Sequence, residues 1–366
     1  MCNASMPFFQ SSQAPPKSFS FELLTTHGTT QAVTALPNKT PAVSKHFTKL
    51  SSHPTPYNTS PLYTKSWAPA HKEIIDIGGS TLDTTFDTQL PSAFKAEGYF
   101  PKEVAYTTGM HHWCEISDTS YQTTDELSII KSTASDVVKD IPATGAVIID
   151  LGAANSRKFV SYVQAFIEQG KPCIYIALDL CKESLTNHIN KSAADFPQIT
   201  CIGLWGNFIQ GDKYFTTLPN PRIFLSLGSI FFNAPDQMCV DRCNEFSKHL
   251  SGSPYSKLIV GQDGPSGTEA SSAHAAYQTK AYDAFFISYL QGIQTYADID
   301  ANPRIAWTYE SKLDKSMHYF KVVAQHDMVC HRYNDLFIQK GTVYTMFPSW
   351  KRGEAEIHNI AQGSGP

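Results

Sequence analysis

The chain has 366 residues, of which 42% are hydrophobic, and it carries a formal net charge of −4 at pH 7. This length and apolar content allow a sizeable buried core, in one large domain or two smaller ones. The slightly acidic charge balance disfavours nucleic acid and membrane surfaces as partners, because both attract clustered positive charge.

The eight cysteines form no CxxC pair and no even ladder of spacings. This pattern predicts reduced thiols rather than a zinc site or a disulfide framework. The N-terminus has no charged segment followed by an apolar core, and no apolar run reaches the roughly 18 residues of a membrane span. We therefore expect a cytoplasmic protein that holds no metal ion.

Residues 1–70 are rich in Ser, Thr, Pro, Asn and Gln, and their lysines face a single acid, Glu22. Such a segment buries too little apolar surface to offset the entropy lost on ordering, so we expect a poorly ordered extension. The stretch "SFSFELL" is the part that we expect to dock on the folded body.

Residues 71–140 run from "HKEIIDIGG" to "YQTTDELSIIKSTASDVVKDI" and have a mainly helical pattern with an aromatic and polar middle. We expect this segment to be the helical N-terminal part of a substrate-binding domain. Residues 296–366 are the expected β-rich part of the same domain. There, blocks such as "VYTMFPSWKRGEAEI" alternate with the two-residue period that is typical of antiparallel strands.

Residues 141–295 contain the short β-type runs "GAVIIDLG", "CIYIALDL", "ITCIGLWGNF", "RIFLSLGSI" and "KLIVGQDG". The segments between these runs are long enough for helices. This alternation predicts an α/β fold, in which a parallel sheet carries helices on both faces. In such a sheet, ligands bind at the carboxyl ends of the strands.

The first of these runs ends in the turn "DLGAANSRK", which bends at Gly152, and the second run ends at Asp179. A glycine at such a turn permits close approach of a cofactor, and an acid at the end of the second strand can bind the hydroxyl groups of a ribose. Dinucleotide dehydrogenases and S-adenosylmethionine (SAM) methyltransferases share this geometry. The single glycine favours SAM, because a sulfonium cofactor has no phosphates that need several backbone donors.

Taken in order, the segments "IIDIGGSTL", "YQTTDELSII", "GLWGNF", "LSLGSIFFN" and "FPSWKRGEAEI" resemble the histidine-specific, ergothioneine-type SAM methyltransferase family, which includes fungal dimethylallyltryptophan N-methyltransferases. The resemblance runs from about Glu73 to about Gln362. It implies a Rossmann-like SAM methyltransferase sheet with a second, mixed α+β substrate-binding domain. The implied reaction is N-methylation of an aromatic amino acid or a derived alkaloid-type amine, by a monomer or homodimer.

The resemblance also implies roles for individual residues. Tyr121 and Asn233 would carry the catalysis, as hydrogen-bond acceptors that orient the acceptor amine. Tyr106, Phe347 and Ser349 would contact the rest of the substrate, and the apolar ring of Phe347 favours an indole or phenol over an imidazole. The implied SAM-binding residues are Gly152, Ser156, Lys158, Asp179, Asn207 and Phe208.

Some positions depart from the pattern of the family. A glycine of the turn is replaced by Ala154, an adenine-binding acid by Asn207, a further glycine by Phe232 and an arginine by Thr124. Because the chain ends at Pro366, we expect the sheet to be one strand short. These departures leave two alternatives open: a binding or regulatory protein that has lost methyl transfer, and a SAM-binding enzyme with a non-methylating reaction.

Overall fold

The structure is a computed structural model. It describes the backbone of residues 21–25 and, with side chains, residues 62, 67–153, 156–264, 274–314 and 316–363. Most of the extension expected at residues 1–70 lies outside the described residues, as does Ala154 of the glycine turn.

The described residues form alternating strands and helices. The strands are β1 (Phe21–Thr25), β2 (Ile74–Asp76), β3 (Ala146–Leu151), β4 (Cys173–Asp179), β5 (Thr200–Trp205), β6 (Arg222–Ser226), β7 (Lys257–Gln262), β8 (Trp307–Asp314), β9 (Met317–Ala324), β10 (Met328–Cys330), β11 (Leu336–Ile338) and β12 (Val343–Trp350). The α-helices are α1 (Leu82–Phe94), α2 (Glu103–Thr119), α3 (Tyr121–Lys139), α4 (Val160–Glu168), α5 (Lys182–Asp195), α6 (Asp212–Phe215), α7 (Asp236–Leu250), α8 (Lys280–Ala297), α9 (Pro303–Ala306) and α10 (Glu354–Ala361).

A parallel sheet lies at the centre of the described part of the chain. Its seven strands have the order β1-β7-β6-β3-β4-β5-β2. Strands β3, β4 and β6 are buried along their whole length, because helices cover both faces of the sheet. This arrangement confirms the α/β fold with a Rossmann-like parallel sheet.

Both edge strands of this sheet come from the N-terminal part of the chain. Strand β2 pairs with β5 in a segment that we expected to be helical, and its three residues are too few to show a period in the sequence. Strand β1 pairs with β7 and lies in the stretch that was expected to dock. The sheet is therefore bordered beside β7 by an N-terminal strand.

Helices pack on the two faces of the parallel sheet. Residues of α3, α4 and α5 share one hydrophobic core with the strands, and residues of α6, α7 and α10 share the core on the opposite face. Helices α3 and α10 lie in segments that we expected to belong to the substrate-binding domain, whereas both helices cover the sheet. The domain boundaries at residues 70, 140 and 295 stay predictions.

A second layer holds a core of its own. Helices α1, α2 and α8 pack against an antiparallel sheet of order β12-β9-β8, which confirms the antiparallel region. Helices α2 and α8 approach closely at Gly292, where an added Cβ would lie 2.7 Å from Cγ1 of Val104. This close packing fixes α2, which carries one wall of the cavity described below.

No helix within the described ranges is long and apolar enough to cross a membrane.

Candidate active site

One cavity opens at the carboxyl ends of the parallel strands, between the sheet and the second layer. The side chains and turns around it come from both ends of the described chain, because α2, α3 and β12 close it from above. All residues to which the sequence analysis gave a role line this cavity: Tyr106, Tyr121, Gly152, Ser156, Lys158, Asp179, Asn207, Phe208, Asn233, Phe347 and Ser349. The individual roles stay predictions.

The turn after β3 is built around Gly152. Its φ angle is +73°, in the left-handed region where glycine is least strained. The backbone N–H groups of Gly152 and Ala153 both donate to the carbonyl of Leu178, at 2.9 and 3.0 Å. An added Cβ would lie 2.6 Å from Cδ1 of Ile230. The turn therefore needs glycine and presents bare backbone to the cavity.

Asp179 ends β4 at the floor of the cavity. Its side chain is only 3% exposed, and its Oδ1 accepts a hydrogen bond of 2.9 Å from the backbone N–H of Cys181. This bond holds the carboxylate in one orientation beside the turn at Gly152. The turn predicted to lie against the cofactor and the acid predicted to bind its ribose are thus neighbours at adjacent strand ends.

Asn207 and Phe208 follow β5 and lie beside a cation that the sequence analysis did not single out. Oδ1 of Asn207 accepts a 2.8 Å hydrogen bond from the backbone N–H of Gln210, so the side chain has its amide N–H groups left for a ligand. The guanidinium of Arg242 lies 4.9 Å from the centre of the Phe208 ring. A base stacked here would meet an aromatic ring that is backed by a cation.

Lys158 is held by a buried acid, Glu126 of helix α3. Nζ of Lys158 lies 2.5 Å from Oε2 of Glu126, and Oε1 accepts a 2.8 Å hydrogen bond from the backbone N–H of Gly228. Glu126 is 1% exposed and ties α3 to the loop after β3 and the turn after β6. Glu126 was not predicted as a site residue, although an acid on the apolar face of a helix is a signal visible in the sequence.

The acceptor end of the cavity contains a buried network around Asp263, which follows β7. The hydroxyl of Tyr121 donates to both carboxylate oxygens of Asp263, at 2.9 Å each, and Nζ of Lys351 lies 2.8 Å from Oδ2. Although burial by itself lowers the pKa of Lys351, the adjacent Tyr277 and Asp263 raise it above its usual value. Lys351 is therefore charged and balances the carboxylate; neither member of this pair was predicted as a site residue.

Asn233 lies in the loop after β6. Its Oδ1 accepts hydrogen bonds from the backbone N–H of Trp350, at 2.9 Å, and from Nζ of Lys102, at 3.1 Å. Both partners are donors, so this atom is the amide oxygen and its lone pairs are in use. The expectation that Asn233 accepts a hydrogen bond from the acceptor amine does not fit this geometry. What Asn233 offers a ligand is its amide N–H groups.

An aromatic wall closes the acceptor end. The ring of Tyr106 lies 6.1 Å from that of Phe347 and 5.4 Å from that of Trp113, between ring centroids. Phe347 has a φ angle of +51°, which is unusual for a bulky residue, and it lies in a bulge where β12 shifts register against β9. The bulge sets the side-chain direction of Phe347, and its ring lines the cavity.

Ser349 lies in the same strand and is tied to the layer above. Its Oγ accepts a 3.0 Å hydrogen bond from the hydroxyl of Tyr277, whose ring stacks on His318 with centroids 3.4 Å apart. Burial, helped by the nearby Lys351 charge, lowers the pKa of His318 to about 2. His318 is therefore neutral at physiological pH. Over the part of the chain that the structure describes, no group of three or more His, Cys, Asp or Glu side chains could hold a metal.

Comparison with known proteins agrees with this geometry. Residues 90–366 match the family model described as "histidine-specific methyltransferase, SAM-dependent". The chain belongs to this family.

Three curated fungal proteins are similar to this chain. Ergothioneine biosynthesis protein 1 of Neurospora crassa is 27% identical over 53% of this chain and 23% of its own length. The 4-dimethylallyltryptophan N-methyltransferase of Aspergillus fumigatus is 30% identical over 52% of this chain and 59% of its own length. N-methyltransferase dtpB of Aspergillus flavus is 24% identical over 68% of this chain and 73% of its own length. The chain thus spans less than two thirds of the first two relatives.

Proposed function

We propose that this protein is a SAM-dependent N-methyltransferase that acts on the amine of an aromatic amino acid or of a derived, alkaloid-type secondary metabolite. The observation that carries the proposal is a single cavity with two different ends. One end holds the bare turn at Gly152 and the buried acid Asp179, and the other holds the Tyr121–Asp263 network inside an aromatic wall. Membership of the family and the names of its N-methyltransferase relatives support the same activity.

The residues at the first end fit SAM. The left-handed turn at Gly152 lets a ligand approach the backbone, and Asp179 is a buried carboxylate that would accept hydrogen bonds from the ribose hydroxyl groups. Phe208, with Arg242 behind it, offers a stacking face for a purine. Ser156 and Lys158 would complete the set of SAM-binding residues.

The residues at the second end can prepare the acceptor. When bound, SAM supplies an electrophilic methyl group. Tyr121 donates its hydroxyl hydrogen to Asp263, and a phenol oxygen in this arrangement can accept an N–H of the acceptor amine. If the acceptor arrives as an ammonium, it would lose one proton to Tyr121 Oη while the hydroxyl hydrogen passes to an Asp263 oxygen, and the resulting neutral amine would have a free lone pair.

The aromatic wall would hold the acceptor in line with the methyl group. No covalent intermediate is needed, so the protein contributes mainly orientation, which accounts for up to about 7–11 kcal/mol in well-aligned systems. We further propose that the protein acts in the cytoplasm, as a monomer or homodimer, on a small molecule. The spacing of its eight cysteines, which fits no disulfide framework, supports an intracellular site.

Two measurements test the proposal. Calorimetric titration with SAM and with its demethylated product should give binding of both at one site per chain. Incubation with SAM and a panel of aromatic amino acids and amines, followed by mass spectrometry, should give products heavier by one or more methyl groups. Absence of SAM binding would favour a binding or regulatory protein, and a product without an added methyl group would favour a non-methylating reaction; either result contradicts the proposal.

A further inference from the structure

Lys102, which precedes helix α2, differs from the other lysines of the cavity. Lys158 and Lys351 each form an ion pair with a buried carboxylate. Lys102 forms no ion pair with any described residue, and Nζ instead donates to the side-chain and backbone oxygens of Asn233, at 3.1 and 3.4 Å. A cavity wall thus contains a cation that makes no ion pair with a described carboxylate.

Aromatic rings offset the charge of Lys102 only in part, because removal from water costs a cation more than contact with ring faces returns. Nζ lies 5.8 Å from the ring centre of Phe347 and 5.1 Å from that of Trp350, so it is held against the aromatic wall. Removal from water lowers the pKa of Lys102 to about 7; the neighbouring Glu103 opposes this shift, and Arg242 and Lys351 add to it. A charge removed from water needs a counter-ion to be stable.

A second donor points to the same kind of ligand. The oxygen of the Asn233 amide is occupied by Lys102 and by the backbone of Trp350, which leaves the amide N–H groups for the cavity. An ammonium and an amide N–H side by side are complementary to a carboxylate. They are a poor match for a neutral amine, whose lone pair must stay free to attack.

We propose that Lys102 is the counter-ion of a carboxylate on the acceptor, so that the enzyme selects an aromatic α-amino acid over the corresponding decarboxylated amine. This inference rests on the proposed methyltransferase function. Lys102 is then a specificity-determining residue that binds substrate. It anchors one end of the amino acid, while Tyr121 accepts from the amine at the other.

The carboxylate of SAM is the other possible source of this chemistry. Lys102 contacts Asn233 and lies against Phe347 and Trp350, all at the acceptor end. The acceptor is therefore the source to which we commit, and the experiment separates it from the cofactor.

The test compares acid and amine pairs. Binding to the protein saturated with demethylated SAM, and kcat/KM for methylation, are measured for tryptophan and tryptamine, tyrosine and tyramine, and histidine and histamine. The wild-type protein should prefer the acid of its best pair by at least tenfold. Lys102→Met should lower kcat/KM for that acid at least tenfold, mainly through KM, and change the value for the amine less than twofold. Lys102→Arg should retain most of the preference.

Controls separate the remaining explanations. Lys191→Met removes a lysine that is 74% exposed on helix α5, and it should change kcat/KM for neither the acid nor the amine. Equal losses for acid and amine in Lys102→Met, as expected of a general base or of misfolding, would overturn the inference, and so would a wild-type preference for the amine. Weaker SAM binding by Lys102→Met would assign the lysine to the cofactor instead. Absence of both SAM binding and methylated product in the wild-type protein would contradict the proposed function itself, and the inference with it.

Discussion

At the scale of single residues, Asp179 is the acid on which SAM binding should depend. It is buried at the end of β4 and oriented by the backbone of Cys181. Hydrogen bonds to a charged acceptor each contribute roughly 1.5 to 3 kcal/mol, so Asp179→Ala should weaken SAM binding at least tenfold while the fold is retained. Titration calorimetry measures the affinity. Asp179→Asn should bind SAM with an affinity between those of the wild-type protein and Asp179→Ala. Unchanged affinity for SAM would rule out contact with the ribose.

Phe347 is the residue that should decide which aromatic acceptor fits. An apolar ring cannot pair with an imidazole N–H, and an unpaired donor in a closed site costs roughly 1 to 3 kcal/mol. The same ring packs well on an indole or phenol. We expect the wild-type protein to methylate tryptophan or tyrosine derivatives and histidine poorly, and Phe347→Glu to shift kcat/KM toward histidine by tenfold or more.

A matched variant is needed because Nζ of Lys102 lies 5.8 Å from the Phe347 ring, so a glutamate there can pair with the lysine. Phe347→Gln supplies an acceptor without a charge and should shift the preference in the same direction. Phe347→Leu should not. Efficient methylation of histidine by the wild-type protein, with no activity on indole amines, would contradict this assignment.

At the scale of elements, the strands that could be predicted from the sequence are the long and fully buried ones. Strand β3 is an unbroken apolar run with every residue buried, so its pattern survives in the sequence. Strand β2 has three residues and no such run. The bulge at Phe347 was also not predictable, because a register shift depends on how β12 meets its neighbour rather than on its own residues.

The site residues that the sequence analysis missed have partners far away along the chain. Tyr121 and Asp263 are 142 positions apart, Lys102 and Asn233 are 131 apart, and Lys351 is 88 positions from Asp263. No local period or spacing reports such pairs. Residues in recognisable turns, such as Gly152 at the end of a strand, can be proposed from the sequence because the turn itself explains them.

The Asp263–Lys351 pair joins the parallel sheet to the antiparallel layer, since the acid follows β7 and the lysine follows β12. Both side chains are almost fully buried, at 3% and 6% exposure. Lys351→Met would leave a buried carboxylate without its counter-ion, which typically costs about 3–5 kcal/mol of the free energy of unfolding. Denaturant unfolding measures this loss.

The double variant Asp263→Asn with Lys351→Met removes both charges and should recover part of the lost stability. It should not recover turnover, because Tyr121 would still lack its carboxylate partner. Lys191→Met breaks an exposed pair and should change stability by no more than about 0.5 kcal/mol. If the single and double variants were equally stable, the pair would not act as a buried ion pair.

At the scale of the whole molecule, stability should depend on pH through Asp150, which lies on β3 at the cavity and is 2% exposed. Burial raises its pKa to about 7, against the hydrogen bond from Tyr175 and the charge of Lys158. The folded state therefore holds this proton more tightly than the unfolded state. As pH rises from about 4 to about 7, the free energy of unfolding falls by up to about 1.4 kcal/mol per pH unit, compared with that of a chain without this acid.

Asp150→Asn should consequently be more stable than the wild-type protein at pH 8, with the difference shrinking as the pH falls toward 4. His188 bonds to Tyr175, and burial lowers its pKa to about 4, which reduces stability at low pH in both proteins and so largely cancels from the difference. Denaturant unfolding across this pH range gives the two curves, and parallel curves would contradict the prediction.

The same substitution, Asp150→Asn, should weaken binding of SAM, because a carboxylate beside the turn favours a positively charged cofactor. An ionised Asp150 would thus destabilise the protein without SAM and stabilise its complex with SAM. Functional sites commonly contain such groups, which lower the stability of the fold but are needed for binding.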